Sequence, residues 1–210
     1  MQDRRPARGL YLVTPDSADT AQLLARVRPL LPFAACLQYR NKEADAALRR
    51  EQAVALADAS RAAGVPFIVN DDARLAADVK ADGVHLGEHD GPIAAARAVL
   101  GDAAIVGVSC YDDLDIARAA AEAGADYLAF GAFFTSSTKP NARRATPDLL
   151  RQARRHGLPM VAIGGITPDN APLLLDAGAD LLAIVSGVFD APDPVAAARA
   201  VHALFEPTRL

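Results

Sequence analysis

Tryptophan is absent from this 210-residue chain, aromatic residues make up only 5% of it, and there are two cysteines and two methionines. Cys36 and Cys110 stand in separate strand-like runs without CxxC or histidine spacing, so neither a zinc site nor a disulfide framework is indicated, and a reducing cytoplasm fits. A basic excess is lacking as well. Lys and Arg number 22 against 26 Asp and Glu, a net charge of -4, so the clustered positive surface that a nucleic-acid partner needs is missing. No apolar run approaches the roughly 20 residues of a membrane helix; the longest, near Tyr127 to Phe134, is broken by Gly131. Arg4, Arg5 and Arg8 precede an apolar stretch, but Gly9 to Val13 is too short for the hydrophobic region of a signal peptide. Neither a Ser-His-Asp order nor a GxGxxG fingerprint is present, which removes support from hydrolase and dinucleotide-enzyme readings. These absences leave a soluble cytoplasmic protein whose partners are small molecules, with no nucleic acid, no membrane and an open oligomeric state.

What is present is an apolar half of the chain, 51% of its residues, gathered into short runs at 9–14, 34–39, 65–69, 82–86, 104–109, 126–131, 159–163 and 181–185. Most runs are continuous rather than alternating, as expected of parallel strands buried on both faces. Helical segments such as Ala44 to Ala63, Asp113 to Ala123 and Pro194 to Phe205 separate them. Asp82, Asp126 and Asp180 sit in three similar helix-to-strand joints, a weak internal echo, while Gly64 and Gly157 read as left-handed helix ends. Thr146-Pro147, Thr167-Pro168 and Asp193-Pro194 read as helix starts, a capping side chain followed by Pro at the first helical position. The alternation predicts one α/β domain over residues 1–210, a closed (β/α)8 TIM barrel, with an open doubly wound sheet as the alternative.

Polar clusters recur where each run ends, which in parallel α/β folds is where ligands are met. Gln38, Arg40 and Lys42, spaced by two, share one face of strand 2 and suit a diphosphate, Arg by its fork and Lys as a point charge. A solvated edge or a salt bridge to a nearby carboxylate is the plainer alternative. Asp71 and Asp90 follow strands 3 and 4, roughly 5 Å apart at the backbone, and a carboxylate pair without His or Cys fits Mg2+ better than zinc. Either could instead cap the next helix. Ser136, Ser137, Thr138 and Lys139 form a donor patch after strand 6, which a polar turn would resemble. Gly164-Gly165 after strand 7 and Ser186-Gly187 after strand 8 fit the paired loops with which barrels often bind phosphate. His85 reads as packed or hydrogen-bonded rather than catalytic, His89, His156 and His202 as loop or surface residues, and Cys110 has no His placed to activate it.

These motifs together resemble the thiamine phosphate synthase family. The match runs from about Gly9 to Phe205, through Leu10-Tyr11-Leu12-Val13-Thr14, Gln38-Tyr39-Arg40-Asn41-Lys42, Asn70-Asp71-Asp72, His85-Leu86-Gly87, Gly107-Val108-Ser109, Thr138-Lys139-Pro140 and Ile163-Gly164-Gly165-Ile166-Thr167. The resemblance implies a (β/α)8 barrel that joins a hydroxymethylpyrimidine diphosphate to a thiazole phosphate and releases pyrophosphate. It further implies that Gln38, Tyr39, Arg40, Asn41, Lys42, Asn70, Ser109 and Lys139 bind the pyrimidine diphosphate, with Lys139, Arg40 and Ser109 catalytic. Asp71 and Asp90 would hold Mg2+, and Ser136, Ser137, Thr138, Gly165, Val185 and Ser186 would bind the thiazole phosphate. Thr135-Ser136-Ser137-Thr138-Lys139 stands where the family typically shows Pro-Thr-x-Thr-Lys, a departure that bears on thiazole affinity. Two competitors follow. A thiazole tautomerase on the same scaffold need not keep Arg40, Lys42, Asp71, Asp90 and Lys139 together, and a non-catalytic barrel would bind thiamine phosphate without turnover.

Overall fold

Eight parallel strands close on themselves in chain order: β1 (Gly9–Val13), β2 (Ala34–Tyr39), β3 (Phe67–Asn70), β4 (Gly83–Leu86), β5 (Ile105–Tyr111), β6 (Tyr127–Gly131), β7 (Met160–Ile163) and β8 (Leu181–Ile184). The computed structural model describes residues 6–135 and 144–206. Closure is made by β1 against β8, with Gly9 opposite Leu181 and Leu12 opposite Ile184. This is the (β/α)8 barrel that the alternation predicted, and the open sheet is excluded.

The strands read as unbroken apolar runs because they serve two cores. Tyr11, Cys36, Ile68, Tyr127, Val161 and Leu181 fill the barrel interior. The alternate positions, Leu10, Leu12, Leu37, Phe67, Leu128 and Leu182 among them, meet the surrounding helices. Those helices are α1 (Thr20–Val27), α2 (Ala46–Ala63), α3 (Ala73–Asp78), α4 (Ile93–Leu100), α5 (Leu114–Glu122), α6 (Pro147–Ala153), α7 (Ala171–Asp176), the short α8 (Ser186–Phe189) and α9 (Pro194–Ala203). Gly64 (φ 68°) and Gly157 (φ 66°) end helical segments in the left-handed conformation.

The internal echo has a physical meaning. Asp82, Asp126 and Asp180 each precede an even-numbered strand and grip the start of the strand before it. Their carboxylates accept the backbone N–H of Phe67 (2.7 Å), Val106 (2.8 Å) and Met160 (3.0 Å). Their own N–H groups donate to the carbonyls of the same three residues, each at 2.8 Å.

Asp193 caps α9 as read, through the N–H of Ala196, whereas Thr146 precedes α6 without a side-chain cap. Thr167 does not start a helix. Asn170 precedes α7 instead, and its amide is occupied by the loop, accepting from Thr167 N–H (2.9 Å) and donating to the Gly165 carbonyl (3.0 Å). Among the described residues no helix is long and apolar enough to cross a membrane.

Candidate active site

A cavity of about 380 Å³ opens at the carboxyl ends of the strands, lined by Gln38, Arg40, Asn70, Ser109, Gly165 and Ser186 among others. Period-two alternation decides which residues reach it. In the run 38–42, Gln38 faces the barrel interior, Arg40 lines the cavity, and Lys42 extends to Asp71. Arg40 is held on both sides: Thr14 Oγ1 accepts its N–H and donates to its carbonyl, each at 2.9 Å, and Asp16 lies 3.4 Å from its guanidinium. Asp16 also accepts the Lys42 N–H at 2.6 Å.

Tyr39 and Asn41, expected in the same ligand run, turn their side chains to the scaffold. Tyr39 is buried in the helix-facing core and donates to Gln52 Oε1 of α2 at 2.9 Å. The Asn41 amide donates to Ser17 O (2.7 Å) and Gln52 Oε1 (2.9 Å) and accepts from the N–H groups of Glu43 and Ala44. Both side chains therefore shape the β2 loop from outside, and their polar atoms are committed to that scaffold.

Asp71 and Asp90 converge at the rim, close enough that each carboxyl shifts the ionisation of the other. Neither caps a helix. Asp72 caps α3 by accepting Leu75 N–H, and Pro92 precedes α4. Asp71 sits in the left-handed region at φ 65°, an uncommon conformation for a residue other than glycine, with its N–H on the His85 carbonyl at 2.8 Å. Burial opposes its ionisation, yet the Lys42 ammonium and the neighbouring Asp90 carboxyl outweigh that and hold its carboxyl below the usual range. Asp90 goes the other way: burial raises it, the Gly87 N–H opposes, and the Asp71 carboxylate raises it further. Lys42 thus supplies a positive charge against two converging carboxylates, the arrangement a hard cation would also satisfy. Among the described residues there is no group of three or more His, Cys, Asp or Glu that could hold a metal.

Across the mouth the β6, β7 and β8 loops interlock. Phe133 N–H donates to the Ile163 carbonyl (3.2 Å) and Phe134 N–H to the Gly164 carbonyl (3.0 Å). Gly164 (φ 106°) and Gly165 (φ 64°) pass so close to the β6 loop that a Cβ on either would lie 2.4 Å from Ala132 Cβ or Thr135 O respectively. Val185 and Ser186 line the cavity beside them. Ser136, Ser137, Thr138 and Lys139 lie outside the described residues.

His85 is hydrogen-bonded through both ring nitrogens, Nδ1 to Tyr127 Oη (3.0 Å) and Nε2 to Ser109 Oγ (2.8 Å). Tyr127 and Tyr11 meet at 2.7 Å between hydroxyls, and Gln38 Nε2 donates to Tyr11 at 2.9 Å. The sequence reading missed both tyrosines at the cavity floor. The available signal was the inward parity of position 11 in β1, which places a hydroxyl two residues below the mouth. Tyr111, at φ 55° where β5 bulges, is a second omission; its hydroxyl accepts the Glu88 N–H at 3.3 Å in the loop that carries Asp90.

A barrel with an acidic pair and basic side chains on one side of its mouth and glycine-lined loops on the other defines an enzyme class that handles phosphorylated small molecules. Residues 10–188 match the family described as thiamine monophosphate synthase. A thiamine-phosphate synthase of Xanthomonas campestris pv. campestris is 65% identical over 199 residues, covering 95% of this chain and 96% of that protein. One of Aromatoleum aromaticum is 56% identical over 208 residues, covering 98% and 100%. A solved thiamine phosphate pyrophosphorylase from Pyrococcus furiosus superposes with a TM-score of 0.83 at 33% identity, covering 96% of each chain. The chain belongs to the thiamine monophosphate synthase family and is a transferase of thiamine phosphate synthesis.

Proposed function

We propose that this chain condenses 4-amino-2-methyl-5-(diphosphooxymethyl)pyrimidine with thiazole phosphate, giving thiamine phosphate and pyrophosphate. One observation carries the reading: the Asp71–Asp90 pair lies beside Lys42 at the same mouth as Arg40, Asn70 and Ser109. The bond between the pyrimidinylmethyl carbon and the diphosphate oxygen breaks, its electron pair leaving with pyrophosphate. The thiazole nitrogen then donates its lone pair to that carbon, which passes through a carbocation-like state. No proton needs to move, so the site's task is to orient two reactants and stabilise a departing anion.

Arg40, Lys42 and Asn70 are assigned to the diphosphate, Gln38 and Ser109 to the pyrimidine ring. Gly165, Val185 and Ser186 are assigned to the thiazole phosphate across the mouth. Asp71 and Asp90 would hold Mg2+, which when bound supplies charge that offsets the diphosphate. Lys139, with Ser136 to Thr138, retains the roles that the resemblance gives it. Lys139→Ala should lower kcat about 100- to 1,000-fold, as loss of one charge-stabilising donor does; an unchanged chemical step in single-turnover kinetics would remove Lys139 from that role.

The whole chain is read as one functional domain, since the strand that closes the barrel is its last. A cytoplasmic location is supported by two free buried cysteines. The decisive experiment gives purified protein both substrates, with Mg2+ and then with EDTA. Thiamine phosphate and pyrophosphate should form in equal amounts and be lost on chelation. Folded protein that binds thiamine phosphate without turnover would sink the synthase reading in favour of a carrier.

A further inference from the structure

One hydrogen-bonded chain crosses the floor of the cavity through side chains of five strands: Gln38 (β2), Tyr11 (β1), Tyr127 (β6), His85 (β4) and Ser109 (β5). Its two ends line the cavity, and its middle is buried, with Tyr11 1% and Tyr127 0% exposed. The rings are locked as well. Tyr127 stacks on His85 at 14° and meets Tyr11 edge-on at 83°.

We propose that Tyr11, Tyr127 and His85 are positioning residues that fix the hydrogen-bond direction of this chain, so that Ser109 faces the pyrimidine as a proton donor and Gln38 as an acceptor. The direction follows from donor counting. Gln38 Nε2 can only donate, so Tyr11 oxygen accepts, and the Tyr11 proton needs another partner. Tyr127 oxygen is 2.7 Å away; the Cys36 thiol beside it is a far weaker acceptor. Burial pushes both phenols well above their ordinary range, so each keeps a proton to give. With its oxygen accepting from Tyr11, Tyr127 donates to His85 Nδ1. His85 therefore carries its proton on Nε2 and donates to Ser109 Oγ, leaving the seryl proton to point into the cavity. The reverse direction would strand a buried phenol proton on the thiol, and a buried donor without a good partner is costly.

An outward seryl donor at one end of the chain and the Gln38 amide oxygen at the other complement a 4-aminopyrimidine lying between them, which offers ring-nitrogen acceptors and an amino donor. The 4-oxo analogue mismatches it, setting a carbonyl oxygen against the Gln38 amide oxygen where the amino group would donate. The specificity part of the inference rests on the synthase reading above; the direction of the chain does not.

Two measurements test it. In 15N-histidine NMR, with the His85 signal assigned by its loss in His85→Gln, the pyridine-like nitrogen should be Nδ1 in the wild type. Finding it at Nε2, or finding an imidazolium, overturns the direction. In kinetics, Tyr127→Phe, checked for folding by its thermal melt, should lose about tenfold or more of the kcat/KM preference for the 4-amino over the 4-oxo pyrimidine diphosphate, because a site built to pair polar groups discriminates through those pairs. The KM for thiazole phosphate should stay unchanged. Unaltered discrimination in Tyr127→Phe overturns the specificity role. No turnover of either pyrimidine, with the Nδ1 signal as expected, would count against the synthase reading and not against the chain's direction.

Discussion

Asp71 concentrates the demands of the site in one residue. Its backbone is left-handed, its carboxylate meets both Lys42 and Asp90, and its N–H is tied to the next strand. Its folded pKa lies below an unfolded value of about 3.9, so its share of stability is present above that value and is lost as pH falls through the folded one. Asp90 has the opposite sign. Its folded pKa is raised, so its ionisation becomes a cost as pH rises from the unfolded value through the folded one. Asp71→Asn removes the charge that is part of that cost. The Asp90 carboxyl should then titrate lower than in the wild type, though burial still keeps it from falling fully, and side-chain carboxyl NMR reads this directly. An Asp90 titration that did not move would mean the two carboxylates are not coupled. The same variant should lose most of the Mg2+ dependence of turnover, and activity with a normal Mg2+ requirement would take Asp71 out of the metal site.

At the scale of elements, the three aspartate latches divide the barrel into odd–even strand pairs. They are not equivalent. Asp126 also holds Arg97 at 2.9 Å with both side chains largely buried, whereas Asp180 faces an exposed Arg8 at 3.5 Å. Asp126→Ala takes the carboxylate from a guanidinium that keeps the Asp102, Ala104 and Gly124 carbonyls, and should cost about 1.5–3 kcal/mol beyond the loss of the Val106 N–H partner. Asp180→Ala should cost about 1–3 kcal/mol, the loss of a partner for one buried N–H. Urea unfolding would rank them, and equal losses would show that Arg97 adds nothing. On the other side of the mouth, a Cβ on Gly187 would lie 2.1 Å from the Ile166 carbonyl. Gly187→Ala must therefore push α8 away from the β7 loop, and it should raise the KM for thiazole phosphate several-fold while leaving that for the pyrimidine diphosphate nearly unchanged. A balanced rise in both would place Gly187 in general stability instead.

The latches also mark what could be read from residues alone. Strands were legible because glycine ends and apolar runs are local signals, and the repeat of Asp82, Asp126 and Asp180 was visible at its helix-to-strand joints. Its gripping function was not, since the partner N–H groups lie 15 to 20 residues earlier. Parity separates Gln38, Arg40 and Lys42 from Tyr39 and Asn41, but the Gln52 and Ser17 partners of those two side chains lie beyond local reach. Tyr11 and Tyr127 lie within apolar runs, and nothing local shows that their hydroxyls meet. Thr167 looked like a cap for want of knowing that Asn170 would close the loop onto Gly165.

For the whole molecule, the consequence of closure is that loops distant in sequence share one ligand. The groups assigned to the diphosphate and its cation come from the ends of β2, β3 and β4, and on the proposed reading they converge on pyrophosphate only when a cation offsets Asp71 and Asp90. Pyrophosphate with Mg2+ should therefore behave as a ligand of the native state alone. At about 100 times its dissociation constant it would add about 2.7 kcal/mol, which for a chain of this size is a rise in Tm of roughly 5–10 °C. Pyrophosphate with EDTA should give much less, because two carboxylates then face the added anion uncompensated by a cation. Asp71→Asn should narrow the gap between the two conditions from both sides: it weakens the Mg2+ arm by removing a ligand, and it relieves repulsion in the EDTA arm by removing a charge. A thermal shift of equal size with and without chelator in the wild type would show that the anion is held without a cation. The acidic pair would then have no part in product binding, and the case for a Mg2+ site at Asp71 and Asp90 would lose its support.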